Sequence, residues 1–138
     1  MFAVLQNIAN EKNISLHNKV NEKVLIKANK NRMKQLVLNL VDNGIKYNIQ
    51  NGSVTIDAYR DEGKVIISVK DTGIGIPSEH LTRIFERFYR VDKGRSRDLG
   101  GTGLGLSIVK HIVNLYNGDI KVNTDVGKGT EFIIQIPY

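Results

Sequence analysis

From Lys30 to Tyr47, the residues Met33, Leu36, Val37, Leu40, Val41 and Ile45 recur three and four positions apart, the spacing of an amphipathic helix that covers a core. A shorter helical pattern, with Phe2, Leu5, Ile8 and Ala9 on one side, occupies residues 1–12 and reads as the end of a preceding helix or linker. An extended segment then runs through Ile14, Leu16 and Val20 to Val24 and Ile26. Val54, Ile56 and Ala58 alternate with polar residues, Asp61-Glu62-Gly63 supplies a turn, and Val65, Ile67 and Val69 alternate again, which predicts a hairpin. Pro77-Ser78-Glu79 predicts a helix start, with Leu81, Ile84, Phe85 and Phe88 as its apolar side. Residues 89–102 are mostly charges and glycine, with Val91 and Leu99 as the only aliphatic side chains, and predict a mobile loop. Helical spacing returns through Leu104, Ile108, Ile112 and Leu115 and closes at Asn117-Gly118. A second hairpin carries Ile120, Val122 and Thr124, a turn from Val126 to Gly129, then Thr130, Phe132, Ile134 and Ile136. Helices interleaved with antiparallel hairpins predict an α+β fold over residues 1–138, one domain with helices on one face of a mixed sheet.

Composition narrows the chemistry. At 138 residues and 41% hydrophobic, the chain matches a single core. No apolar run approaches the roughly 18 residues of a membrane span, and the start of the chain has no signal-peptide pattern. Zero Cys excludes disulfides, thiolate metal sites and a cysteine nucleophile, and suits a reducing cytoplasmic compartment. The net charge of +6 favours an anionic partner, whether nucleotide, nucleic acid or acidic protein, without choosing among them.

At about 100° per residue, Gln35, Asn39, Asn43 and Lys46 fall within an arc of roughly 80° on the long helix. Asn is a poor helix former, so two of them in mid-helix carry a cost. Their carboxamide oxygens suit the shell of a Mg²⁺ ion that also holds water and phosphate, with Lys46 to neutralise the phosphates. A polar face bonded to a neighbouring strand is the competing account. Asp71 has the parity of Val65, Ile67 and Val69, so its carboxylate points inward, and Gly73 and Gly75 follow at once. Such a carboxylate accepts from an adenine amino group, or caps the turn after its strand. Gly100-Gly101-Thr102-Gly103-Leu104-Gly105-Leu106 leads into a helix, whose free N–H groups either bind phosphate or mark a hinge. The cluster fits neither a Walker loop nor a dinucleotide fingerprint. Arg87, Arg90, Lys93, Arg95 and Arg97 precede it, for phosphates, a partner face or solubility. Thr130 is inward by parity with Phe132 and Ile134, placed to join Asp71 in holding a base or a water. His17, His80 and His111 lack metal-ligand spacing and read as surface or boundary residues.

Five segments, taken in order, resemble one family. Asn39 to Tyr47 resembles the N box of the C-terminal ATP-binding catalytic domain of bacterial sensor histidine kinases, Asp71-Thr72-Gly73-Ile74-Gly75 its G1 box, and Ile84 to Arg90 its F box. Gly101-Thr102-Gly103-Leu104-Gly105-Leu106 resembles its G2 box and Gly127-Lys128-Gly129-Thr130 its last glycine box. The superfamily includes gyrase, the ninety-kilodalton heat-shock chaperone and the mismatch-repair ATPase. The resemblance implies the Bergerat two-layer α/β sandwich, with ATP and Mg²⁺ as cofactors. It makes Asn43 the main Mg²⁺ ligand with Asn39 close by, Lys46 a phosphate contact, Tyr47 a wall over the adenine and Asp71 the acceptor for its amino group. Gly73, Gly75, Ile76 and Thr130 complete the base pocket. Arg87, Tyr89 and Arg90 approach the phosphates or a partner helix, residues 89–102 form an ATP lid, and Gly101, Thr102, Gly103, Leu104, Gly105 and Leu106 hinge and cap it.

The resemblance further implies transfer of the γ-phosphate to a histidine on a helical dimerisation and phosphoacceptor domain of the parent kinase. A response regulator acts downstream, with neither nucleic acid nor direct membrane contact, and the domain is cytoplasmic in a membrane-attached parent. None of His17, His80 and His111 has the family's phosphoacceptor context of an acidic residue and a following Pro, so the acceptor lies elsewhere. Gly44 replaces the usual Ala and is expected to touch no ligand contact; Asn48 replaces the usual Ser or Thr and is expected to matter little. A degenerate nucleotide-binding module is one competing class. A gyrase-type ATPase is another, but it would need a water-activating Glu where Asn39 stands.

Overall fold

The computed structural model describes residues 2–11, 13–18, 30–89 and 105–137. In chain order the elements are α1 (Phe2–Glu11), β1 (Ser15–Asn18), α2 (Lys30–Lys46), β2 (Ser53–Asp61), β3 (Lys64–Asp71), α3 (Gly105–Leu115), β4 (Asp119–Asp125) and β5 (Gly129–Pro137). The strands form one mixed sheet in the order β1-β2-β3-β5-β4, parallel only between β1 and β2. Two-residue periodicity gives this sheet a dry face and a more exposed one, on which Ile66 is nevertheless buried. Val54, Ile56, Val65, Ile67, Val69, Phe132, Ile134 and Ile136 point inward and are buried. Leu36, Leu40, Val41 and Ile45 of α2 and Val109, Ile112 and Val113 of α3 close the core above them. The two-layer α+β sandwich expected from the pattern is the fold found.

Local chemistry accounts for the boundaries. Glu62 and Gly63, both at positive φ, make the two-residue turn between Asp61 and Lys64, the twist that suits a tight hairpin. At the end of α3, Asn117 adopts φ 56° while Gly118 N–H reaches the Val113 carbonyl at 2.9 Å and Asn117 N–H the Asn114 carbonyl at 3.1 Å. These bonds satisfy carbonyls that a helix end leaves orphaned.

Two expectations are corrected. The helix expected from Pro77 is a short 3-10 turn, Ser78–His80, continued by further turns to Phe88. Its backbone bonds run three residues back, from Arg83 to His80, Glu86 to Arg83 and Tyr89 to Glu86. That period aligns His80, Arg83, Glu86 and Tyr89 along one edge, where side-chain contacts compensate for the poorer backbone geometry. Ile84 is buried as expected, but Phe88 turns out to solvent at positive φ, 68% exposed. On α3 the buried stripe is Val109, Ile112 and Val113, and Leu115, about 110° around from its centre, is 48% exposed. The extended segment after Ile14 is a strand over Ser15–Asn18, as expected for that part; Val20, Val24 and Ile26 lie outside the described residues, as do the side chains of Phe2, Leu5 and Ile8.

The two faces of β5 predict opposite responses at adjacent positions. Ile134→Ala should cost about 2–5 kcal/mol and Gln135→Ala within about 0.5 kcal/mol, compared by urea unfolding.

Candidate functional site

The dry face is apolar along β3 and β5 through Val65, Ile67 and Val69 with Ile136, Ile134 and Phe132 opposite, and then changes character. Register aligns Val54 with Asp71, Asp71 with Thr130, and Thr130 with Thr124, so one row carries a carboxylate and two hydroxyls inward. Asp71 is 7% exposed. A buried carboxylate needs donors, and the backbone supplies them: Gly73 N–H at 2.8 Å and Thr130 N–H at 3.2 Å, both to Oδ1. Burial pushes the Asp71 carboxyl up to about 6, and the two N–H groups hold back part of the rise. Of the two sequence readings of Asp71, the turn cap is seen directly, on Oδ1. Both of its N–H donors lie on Oδ1, and no hydrogen bond reaches Oδ2 among the described residues.

Residues 73–76 are strapped on both sides. Ile74 N–H donates to the Tyr47 carbonyl at 3.1 Å, Gly127 N–H to the Ile74 carbonyl at 2.8 Å, and Ile76 N–H to Thr124 Oγ1 at 2.9 Å. Glycine is obligatory at two points of this strap. A Cβ on Gly73 would stand 2.3 Å from the Tyr47 carbonyl oxygen, and one on Gly75, at φ 76°, would stand 2.1 Å from that of Asp125.

Helix α2 lies over this polar row. Gly44 is buried, and a Cβ there would lie 3.4 Å from Asp71 Cβ and 3.5 Å from Asp71 Oδ2, so the expectation that Gly44 touches no ligand contact is corrected. One helical turn earlier, Asn39 reaches the start of α3: its Oδ1 lies 3.7 Å from the position a Gly105 Cβ would take. Asn39 Nδ2 is buried with no hydrogen-bond partner among the described residues, a cost unless a ligand supplies an acceptor. Asn43, half-buried, follows four residues on, and Lys46 pairs with Asp42 at 3.0 Å. No cluster of three acidic, His or Cys side chains exists among the described residues. Two carboxamides fit an ion that takes only one or two protein oxygens and draws its other ligands from water and phosphate, as Mg²⁺ does.

Of the other expected site residues, some make no hydrogen bond or ion pair with Asp71, Asn39 or Asn43 among the described residues, and others fall outside those residues. Arg87 is exposed, and no hydrogen bond or ion pair joins it to Asn39, Asn43 or Asp71 among the described residues. Tyr89 is held instead by His80 Nδ1 at its hydroxyl and by the Arg83 guanidinium 4.6 Å above its ring centre. Leu106 is packed against the core. Arg90, Gly101, Thr102, Gly103 and Leu104 lie outside the described residues.

Sequence reasoning missed three residues. Asn48 is buried at 8% and is a hub: Nδ2 donates to the Ser53 carbonyl at 2.9 Å, and Oδ1 accepts from Ile49 N–H at 2.8 Å and Thr72 Oγ1 at 3.1 Å. The expectation that Asn48 matters little is corrected, because a Ser or Thr hydroxyl could not span these groups. Gly129 belongs to the expected turn and glycine box, whose spacing does not show that a Cβ there would stand 2.1 Å from the Asp71 carbonyl oxygen. Thr124, a polar residue in an inward register, was the signal that could have been followed.

The profile of the family described as histidine kinase-, DNA gyrase B- and HSP90-like ATPase matches residues 28–138. The chain belongs to that family. The sensor histidine kinase WalK of Bacillus subtilis is 44% identical over 115 residues, 82% of this chain and 19% of that protein. The sensor protein SrrB of Staphylococcus aureus is 45% identical over 106 residues, 77% of this chain and 18% of that protein. The chain therefore spans about a fifth of the curated relatives it matches. Among solved structures, full-length ShkA in complex with AMPPNP is similar at 32% identity and TM-score 0.84, over 98% of this chain and 28% of that one. The mycobacterial sensor histidine kinase MprB is similar at 27% and 0.83, over 99% and 91%. The folded unit is thus the ATPase domain of the family, with the architecture of histidine kinase catalytic domains.

Asp71→Asn should stabilise the fold. An unfolded Asp ionises near 3.8 and the folded one near 6, so the native carboxylate costs stability as pH rises between those values. The Asn variant's advantage should be absent below pH 4, grow from there to pH 6 and stay level above, as followed by thermal unfolding against pH.

Proposed function

We propose that this domain binds Mg-ATP and donates the γ-phosphate to a histidine on a separate helical dimerisation and phosphoacceptor domain of its parent kinase, with a response regulator downstream. The observation that carries the reading is the inward Asp71 carboxylate, both backbone N–H groups on one oxygen, packed beneath Gly44 of α2, the helix that also carries Asn39 and Asn43. Relatives that are sensor histidine kinases, and the AMPPNP complex of ShkA, support it.

In this reading Asp71 Oδ2 accepts from the adenine amino group, Thr130, Gly73, Gly75 and Ile76 shape the base pocket, and Tyr47 walls it. Asn43 and Asn39 hold Mg²⁺, and the orphaned Asn39 Nδ2 donates to a phosphate oxygen. Lys46 swings from Asp42 to the phosphates. Bound Mg²⁺ neutralises charge on the transferring group. Phosphoryl transfer asks the chain mainly to position and to neutralise, because the β–γ bridging P–O bond breaks as the acceptor imidazole nitrogen bonds to phosphorus and ADP leaves. Residues 89–102 are the lid, with Arg87 and Arg90 toward the phosphates or the acceptor helix. Asn39 carries no carboxylate to activate water, which separates this reading from a gyrase-type ATPase. The parent is membrane-attached with this domain in the cytoplasm; no helix among the described residues is long and apolar enough to cross a membrane.

Calorimetric titration with ATP, with and without Mg²⁺, tests the site. Binding should strengthen with Mg²⁺, Asn43→Ala should remove that increment, and Asp71→Asn should lose ATP by at least about tenfold. A separately supplied acceptor-helix domain should then become phosphorylated; intact ATP affinity in Asp71→Asn would sink the reading. Binding should also weaken below about pH 6. With Oδ1 committed to N–H donors, the added proton sits on Oδ2 and opposes the amino group. Adenosine, which has no titrating phosphates, is the ligand for that profile.

A further inference from the structure

One hydroxyl at the mouth of this pocket has no part in the contacts proposed above. Thr124 stands beside Thr130 on the inner face. Its Oγ1 accepts from Ile76 N–H at 2.9 Å, donates to the Gly129 carbonyl oxygen at 3.0 Å, and lies 2.9 Å from Thr130 Oγ1. A hydroxyl has one proton and two lone pairs. A carbonyl oxygen can only accept, so the Thr124 proton goes to Gly129. Ile76 N–H occupies one lone pair, and the other receives the Thr130 proton. Thr130, 6% exposed and with its own N–H given to Asp71, is left presenting lone pairs alone.

We propose that Thr124 is a positioning residue for base selection: by taking the Thr130 proton it makes Thr130, like the Asp71 carboxylate, an acceptor only, so the pocket takes a 6-amino purine and rejects a 6-oxo purine. The inference rests on the adenine-site reading above. A 6-amino group is a pure donor and satisfies acceptors; a 6-oxo group sets lone pair against lone pair in a buried site, the arrangement that discriminates most strongly. A Thr130 hydroxyl released from Thr124 rotates and donates to the oxo group, which removes part of the penalty.

The test compares ATP with inosine triphosphate, which differs in the base at position 6 and its adjoining N1, by competition titration. Wild type should prefer ATP. Thr124→Val, near-isosteric but without the hydroxyl, should narrow the preference by about tenfold, the worth of one hydrogen bond. Thr124→Ser should restore it within about twofold of wild type, and in a Thr130→Val background Thr124→Val should change it no further. Equal loss of both nucleotides in Thr124→Val, a purely structural effect, would overturn the inference, as would a shift that persists without the Thr130 hydroxyl. A wild type that does not prefer ATP, or unchanged ATP affinity in Asp71→Asn, would instead overturn the adenine site and this inference with it. Should Thr124→Val not fold, wild-type NMR decides: the Thr130 hydroxyl proton should exchange slowly and lie against Thr124, and fast exchange would overturn the proposal.

Discussion

A carboxylate on the inner face of a sheet has to be given donors by its neighbours, and this need organises the whole end of the domain. Asp71 receives both of its hydrogen bonds from backbone N–H groups, one two residues on and one across the sheet on β5. Main chain can approach that closely only if side chains stay clear, hence glycine at Gly73 and Gly129. The register that brings Thr130 opposite Asp71 also brings Thr124 into the row and delivers the β4–β5 turn to residues 74–76. Distant parts of the chain thus converge because one charge would otherwise be stranded.

Helix α2 meets the same end of the sheet with two kinds of side chain. Leu36, Leu40, Val41 and Ile45 are fully buried and supply its adhesion. Asn39 and Asn43 contribute little to helix stability, and Asn39 leaves an amide unpaired among the described residues. Tertiary packing of the apolar stripe tolerates this, as it tolerates Gly44 at the point where helix and carboxylate approach most closely. Gly44 sacrifices about 1 kcal/mol of helix propensity against Ala. A methyl there would pack on Asp71 Oδ2, the oxygen that carries neither of the two backbone donors.

The sheet and α2 were legible because their periodicity is simple: inward positions two apart, and a helix stripe three and four apart. Inward parity alone placed Asp71 and Thr130 on one face, and the structure adds that they are cross-strand partners. The segment after Pro77 misled because apolar residues at 81, 84, 85 and 88 suit a helix, while its hydrogen bonds close at a period of three and turn Phe88 outward. Asn48 and Thr124 were illegible for a different reason. Each acts through hydrogen bonds to residues that only the fold brings near, Asn48 to Ser53 and Thr72, Thr124 to Ile76 and Thr130. Periodicity reports which face a side chain occupies and nothing of the partners waiting there.

The same accounting explains why a site so expensive to fold persists. Natural domains carry such unfavourable groups where function needs them, and lose stability in exchange for it. At neutral pH the chain holds an ionised carboxylate whose burial favours the neutral form, with Oδ2 left to a ligand. A ligand donor at Oδ2 stabilises the ionised form and draws the carboxyl back toward its ordinary value. Binding and deprotonation are then one linked event, so the ligand stabilises the folded state most where Asp71 costs it most. Relief of that burial cost is part of the affinity of any donor that reaches Oδ2.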